Sequence, residues 1–303
     1  MRYFGLKPDG GEIALPAPVE AELDSADDVP ADGFRGVFPL AENCGMLTGL
    51  RIESGNGGTV FLGTVDIQRQ IISAKGMKLS LSCRSLAGLL LDSEPIPQTY
   101  DYPNLATIFV RHIQPYGFTS FQGSTRIFHG PLRITKGMSE WRTAALFCKT
   151  YFQTVPRVHG SVFDATGESS GNPLILDNRH GVHYFRAEVR NRYCDRISQL
   201  YAPSPGTGTY GIAAEDKGTE ALEIVRRRCL SSADTDGAAL LRAADRKAFA
   251  VLADCPGLPE TSVGADAELH DPVAGNFLGL AVAEISCRLG SGGIRTSYLL
   301  RRK

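Results

Sequence analysis

From Met77 to Arg84 the side chains alternate without a break: Met77, Leu79, Leu81 and Cys83 on one side, Lys78, Ser80, Ser82 and Arg84 on the other. A period of two is the mark of a strand with one face in a core and the other turned to water or a partner. The preceding stretch Val60–Ile72 is also strand-like, and Ala74-Lys75-Gly76 between them offers a glycine that can take positive φ and reverse the chain. The pair predicts a hairpin that runs out into the leucine-rich end Leu89-Leu90-Leu91. Nothing in it carries catalytic chemistry.

The hairpin has company. Val19–Leu23, Gly33–Pro39 and Gly49–Glu53 read as short strands divided by Gly, Asp, Asn and Pro, which suggests a small barrel or sandwich, and residues 1–92 are expected to form a first small β-barrel domain. Residues 93–165 change character and read as an α/β insert. Leu105, Ile108, Phe109 and His112/Ile113 recur at helical spacing between Pro103 and Pro115, and Trp141, Ala144, Ala145, Cys148, Tyr151 and Phe152 form a second helical stripe capped by Ser139 and ended by Pro156. Strands are expected at Arg126–Phe128, Leu132–Thr135 and Arg157–Phe163.

Residues 166–303 read as a second β-barrel domain with a partly helical excursion at about 191–248. Its strands are expected at Leu174–Leu176, Tyr184–Val189, Phe249–Leu252, Ser262–Ala267, Leu278–Leu289 and Arg295–Leu300, and its helices at Thr219–Arg228 and Gly237–Lys247. The fold class is therefore α+β, mainly β, with two small barrels around an α/β insert. At 303 residues the chain has room for two cores.

Charge narrows the partners. The net charge is −1, with 21% charged residues, so no global field draws the chain to nucleic acid or an anionic membrane. Arg226-Arg227-Arg228 and Arg301-Arg302-Lys303 are short runs without interleaved aromatics, which reads as solvated faces or interface contacts and not as a sequence-specific nucleic-acid site. No apolar run approaches the roughly 20 residues of a membrane span, and Met1–Asp9 lacks a basic-then-apolar leader. The seven cysteines are widely spaced with no C-x-x-C, which predicts reduced and mostly buried thiols.

Candidate chemistry fails on context. Gly206-Thr-Gly208-Thr-Tyr-Gly211 matches a dinucleotide fingerprint, but Pro203 and Pro205 precede it and Glu215–Gly218 interrupts any helix after it, so it reads as a surface loop. His180 and His183 have ligand spacing only on a helix, and Asn178-Arg179-His180-Gly181 reads as a turn. Asp66, Asp92 and Glu94 could serve as paired carboxylates for glycoside hydrolysis, although hydrogen-bonding roles suit their positions better. Trp141 sits on a core stripe. The common hydrolase and phosphate-binding signatures are absent, and no cofactor, metal or enzymatic activity is expected.

Several blocks occur in a telling order: Ser25-Ala-Asp27, Pro30-Ala-Asp32, Phe34–Leu40, Phe61-Leu-Gly63-Thr-Val65-Asp66, and Leu79-Ser-Leu-Ser-Cys83-Arg84-Ser85. They continue through Leu89-Leu-Leu-Asp92-Ser-Glu94-Pro95, Pro115-Tyr-Gly117 and Lys136-Gly137-Met-Ser139-Glu-Trp141. Across roughly residues 20–165 this series resembles the baseplate hub proteins of phage tails and tail-derived bacteriocins, the Mu-type hub and late-control-D group. The resemblance implies a non-enzymatic homotrimer whose two related barrels per subunit form a pseudo-sixfold ring. Such a ring joins the tail tube, or a tube-initiator (distal tail) protein, to a central spike, and lines the lumen through which DNA or the tape-measure protein passes. It also implies a place in a virion tail or tail-like particle assembled in the bacterial cytoplasm. The polar face of the hairpin, Lys78, Ser80, Ser82 and Arg84, becomes a candidate subunit or lumen surface. Arg301-Arg302-Lys303 closes the sequence soon after the last expected strand, so lytic activity is not carried over. The alternative is a carbohydrate-active enzyme or cell-wall-binding β-domain using Asp66, Asp92 or Glu94.

Overall fold

The computed structural model describes residues 1–74, 76–168, 171–204 and 206–303. Lys75 of the expected turn and Pro205 of the expected loop lie outside them. The chain divides into two compact units, Met1–Ser169 with Ser286–Ile294, and Ser170–Ile285 with Arg295–Lys303.

The first unit opens with β1 (Arg2–Leu6) and β2 (Glu12–Leu15), joined by a turn in which Gly10 holds φ +81°. Then come β3 (Glu20–Ala26), β4 (Val29–Leu40), β5 (Gly49–Glu53), β6 (Thr59–Ser73) and β7 (Gly76–Ser85). All neighbours pair antiparallel in the order β3-β4-β7-β6-β5-β1-β2. Each inward face supplies one core: Phe34 and Phe38 from β4, Leu79, Leu81 and Cys83 from β7, Leu50 and Ile52 from β5, Phe61 from β6, and Tyr3 from β1. A buried ring or leucine of this kind contributes about 1.5–3 kcal/mol. The alternation read at Met77–Arg84 is the geometry of β7. Two strands at the N-terminus went unread because the acids and the Asp9-Gly10-Gly11 turn dominate that stretch.

The leucine-rich end turns into α1 (Ala87–Asp92), which leads to β8 (Gln98–Tyr100). In α2 (Leu105–Ile108) the Asn104 side chain accepts from the Thr107 N–H, and the helix widens into one π turn over Phe109–Ile113. β9 (Ser120–Gln122) and β10 (Leu132–Ile134) follow. Ser139 caps α3 (Glu140–Phe147) by accepting from the Arg142 N–H; its π turn runs on to Phe152 and ends at Gln153, in the left-handed region, ahead of Pro156. β11 (Arg157–His159) and β12 (Val162–Asp164) form two strands where one was expected, reversed at Gly160 with φ +59°. Arg126–Phe128 is not a strand. There the Ser124 hydroxyl accepts from the Arg126 N–H, and the Phe128 N–H donates to the Pro103 carbonyl while its ring fills the core of α2 and α3.

The second unit contains β13 (Leu174–Asp177), β14 (Arg186–Asn191), β15 (Gln199–Pro203), β16 (Tyr210–Glu215), α4 (Lys217–Glu220), β17 (Arg227–Cys229), α5 (Gly237–Ala248), β18 (Phe249–Pro256), β19 (Asp266–Asp271), β20 (Gly275–Gly290) and β21 (Gly293–Arg302). Its main order is β14-β18-β21-β20-β19-β13, and β16-β15-β17 make a small separate sheet. The helix expected over Thr219–Arg228 is only the one turn of α4, because Glu223 takes φ +59° and Arg227–Cys229 pairs as a strand with β15. The last residues of β20, from Ser286, belong to the first unit and lie hydrogen-bonded beside β3, with Arg288 paired to Glu22 at 2.6 Å.

The expected pair of β-barrels is not present. Among the described residues no sheet closes on itself: β2 pairs only with β1 and β14 only with β18, so each strand order ends at an edge. The fold is α+β and mostly β, built on open sheets.

An internal repeat runs through both units. Strands β4–β7 and β18–β21 match at one constant spacing, so that Phe34 and Val251, Gly36 and Ala253, Leu50 and Ala267, and Leu81 and Tyr298 hold equivalent register positions. Arg84 and Arg301 are also equivalent, each paired to an acid of its hairpin partner, Asp66 and Glu284. β3 and β14 correspond as the strands beside β4 and β18, which places Glu22 opposite Arg35 where Glu188 is opposite Leu252.

Candidate functional site

Every residue of the expected surface lies on the outward face of β7. Lys78 is exposed, and Ser80, Ser82 and Arg84 are half-buried between β4 and β6, while Leu79, Leu81 and Cys83 are buried on the other face. Cys83 is an inert packing residue: burial, reinforced by the Asp66 charge, pushes its thiol up to about 12.

The partner strand changes the composition of this face. Strict alternation along β6 from Phe61, Gly63 and Val65 would put Ile67 and Ile71 in the core. The ladder instead slips at Asp66: Val65 stands opposite Cys83 and Ile67 opposite Ser82, so Asp66 is the extra residue of a β-bulge. One inserted residue inverts every side chain beyond it. Ile67, Arg69 and Ile71 therefore share the outward face with Ser82, Ser80 and Lys78, with Ile67 47% and Ile71 51% exposed. Gln68 and Gln70 take the inward positions. The Gln68 amide accepts from the Leu47 N–H at 2.9 Å and donates to the Gly45 carbonyl at 2.6 Å, and Gln70 donates to Asn43 at 2.8 Å. These amides tie the segment 43–47 against the hairpin. The signal available in the sequence was Arg69, a cation that strict alternation would place in the core between Ile67 and Ile71.

Asp66 turns its carboxylate on Arg84. The guanidinium is held at 2.7 Å by Asp66 and at 2.6 Å by Asp92, from β6 and the end of α1. Both carboxylates hold the Arg84 side chain protonated well above its ordinary range, and Asp92 in return is drawn below the usual carboxylate range, chiefly by its hydrogen bond from Arg84. Arg84 is thus a fixed strut with its charge offset, whereas Lys78 and Arg69 face outward. Asp66 and Asp92 converge on an arginine and not on a cleft, and Glu94 is exposed beside them in sequence only. The face combines two isoleucines, two hydroxyls and two cations, which suits contact with another protein and contains no activated nucleophile.

A second polar cluster was not visible in the sequence. His112, 2% exposed, bonds Glu140 through Nδ1 at 2.7 Å and the Tyr100 hydroxyl through Nε2 at 2.9 Å, and the Tyr116 O–H donates to Glu140 at 3.2 Å. The geometry is that of an acid–base pair. Both side chains are buried, and the pair joins the π turn that follows α2 to the N-terminus of α3. A cavity of about 360 Å³ lies elsewhere in the insert, lined by Arg126, Phe128, Tyr151, Phe152 and Thr166. Trp141 packs half-buried against Phe163 in the insert core.

The remaining motifs sit as loops and turns. Gly206 and Gly208, both at positive φ, lead into strand β16 and not a helix. The residues from Asn178 to His180 form a turn after β13. Among the described residues no group of three His, Cys, Asp or Glu side chains could hold a metal, and no helix is long and apolar enough to cross a membrane. Cys44, Cys83, Cys148 and Cys255 are free and buried, and Cys194 and Cys229 are free and exposed.

Neither a protein-family model nor a curated protein matches the sequence. Solved structures do. A tail protein of Neisseria meningitidis superposes with a TM-score of 0.71 at 18% identity, covering 100% of this chain and 97% of that one. The fold is similar to that of phage tail proteins. The 43 kDa tail protein of a Shewanella oneidensis prophage gives a TM-score of 0.72 at 14% identity, covering 100% and 98%. An Escherichia coli component of the type VI secretion system gives 0.55 at 8% identity, covering 95% of this chain and 74% of that one. At these identities the likeness is one of fold, and it spans both units.

Proposed function

We propose that this chain is a structural hub protein of a phage tail or tail-like particle. In this role three copies form a ring that joins the tail tube, or a tube-initiator protein, to a central spike, with a lumen open to DNA or the tape-measure protein. The observation that carries the proposal is the whole-chain likeness in fold to tail proteins, at TM-scores of 0.71 and 0.72 with nearly complete coverage of both chains. It is supported by the outward face of β6 and β7, where Ile67 and Ile71 stand among Lys78, Ser80 and Ser82 without a catalytic group. Segments 1–92 and 166–303 would supply the ring and 93–165 an insert on it. Lys78, Ser80, Ser82 and the braced Arg84 would form a subunit or lumen surface.

Sedimentation velocity of the full chain, alone and with tube and spike proteins, tests the proposal. A trimer that binds a tube or spike component is expected. A strictly monomeric protein that binds neither would end it. The rival carbohydrate-active reading loses its two best acids to Arg84; turnover of a polysaccharide or of peptidoglycan that disappears in Asp92→Asn would revive it.

A further inference from the structure

The end of β20 and strand β3 already lie side by side within the first unit, with Arg288 on Glu22. The internal repeat supplies a counterpart for each. The counterpart of the end of β20 is the stretch Ile67–Ile72 of β6. It is paired on one side with β7, and among the described residues it has no strand on the other, because β5 reaches only as far as Thr64. The counterpart of β3 is β14, which is paired with β18 and, among the described residues, with no strand on its outer edge. One chain thus carries one filled version of a strand contact and both halves of an unfilled one.

We infer that Ile67–Ile72 of β6 pairs edge to edge with β14 (Arg186–Asn191) of a second copy of this chain, as the end of β20 lies beside β3. The pairing rests on the tail-hub reading proposed above and names the strands it leaves open. Long unpaired edges are templates for strand addition, since each residue presents backbone groups that only another strand or water can satisfy. Charge agrees with the placement. Glu188 is the counterpart of Glu22, and although Ile71 replaces Arg288, Arg69 lies two residues along the same face, within reach of a cross-strand diagonal. The two edges differ, so the contact is heterologous: each copy gives its β6 to the next copy's β14, and the series ends only when rotation closes it.

The test uses the full chain with the exposed Cys194 and Cys229 replaced by serine. Ile71→Cys and Glu188→Cys are made in separate proteins carrying different affinity tags, then mixed and oxidised, and cross-links are mapped by peptide mass spectrometry. A disulfide joining position 71 of one chain to position 188 of the other is expected, with neither protein linking to itself through its new cysteine. Self-linked Ile71→Cys, or no link in a mixture that sediments as an oligomer, overturns the strand pairing and leaves the hub reading standing. A mixture that stays monomeric overturns both. Hydrogen exchange on the unmodified protein covers the case in which a variant misfolds. Amides 67–72 and 186–191 should exchange on the order of tenfold more slowly at assembling concentration than when dilute, and equal rates in both strands at the two concentrations refute the pairing.

Discussion

Replacing a glutamine should harm the first unit more than replacing a neighbouring isoleucine, an inversion of the usual ranking that follows from the bulge at Asp66. Gln68→Ala removes two hydrogen bonds, to the Leu47 N–H and the Gly45 carbonyl, at about 1 kcal/mol each, for ~2 kcal/mol. A glutamine on a solvent-facing strand position would change stability by no more than about 0.5 kcal/mol. Ile71→Ala, with half its surface in water, gives up roughly half of the ~1.5–3 kcal/mol of a fully buried isoleucine, or ~1 kcal/mol. At an interior position the same change would cost about 2–5 kcal/mol. Urea unfolding at a dilution that prevents assembly compares the two, and hydrogen exchange isolates the site, because the Leu47 amide should lose its protection in Gln68→Ala alone. If Ile71→Ala costs more than Gln68→Ala, or the Leu47 amide is equally protected in both, the outward assignment of Ile67 and Ile71 is wrong.

Three further outcomes are expected. Glu140→Ala should destabilise the insert by about 1–3 kcal/mol, since it leaves the buried His112 Nδ1 without its partner and removes the acceptor of the Tyr116 hydroxyl, and a thermal scan showing an unchanged midpoint would contradict the bonding described. Arg84→Ala should let the Asp92 carboxyl rise toward its ordinary range in a carbon-13 NMR titration. Because that carboxyl is depressed in the folded state, its contribution is present above the unfolded value and is lost as pH falls through the folded one, so wild type and variant should converge in stability at low pH. Cys194 and Cys229 should react quickly with a thiol reagent at pH 8 while Cys83 and Cys148, each pushed up to about 12, and Cys255, pushed up to about 11, stay unmodified until unfolding. Rapid labelling of Cys83 in the native protein would show that β7 does not face a core.

Local signals survived the passage from sequence to structure where one rule acted alone. β7 and the start of α3 were legible because strict alternation and a capping serine each determine their own element. β6 was legible as a strand but not in its phase, since a bulge leaves no mark in apolarity and is fixed by the loop that Gln68 and Gln70 must reach. The Thr219–Arg228 helix failed because a left-handed Glu223 and the edge of β15 outweighed its helix-forming residues. Barrel closure failed for a different reason. Strand spacing says that many short strands exist, whereas closure depends on which strand meets which, a long-range fact that individual segments do not encode. On this face the outward placement of Lys78, Ser80, Ser82 and Arg84 was readable, and that of the β6 isoleucines was not.

The hairpin end at Ser286–Ile294 has a consequence for how the chain is made. The first unit includes these residues, yet more than a hundred positions of the second unit separate them from Ser169. During synthesis at ~5–20 residues per second, β3 must wait many seconds on the ribosome before the strand beside it is translated. For that interval the nascent protein exposes a fresh strand edge to every other chain on the same message. Completion of the first unit thus waits on translation of Ser170–Ile285, so the first unit is not finished ahead of the bulk of the second.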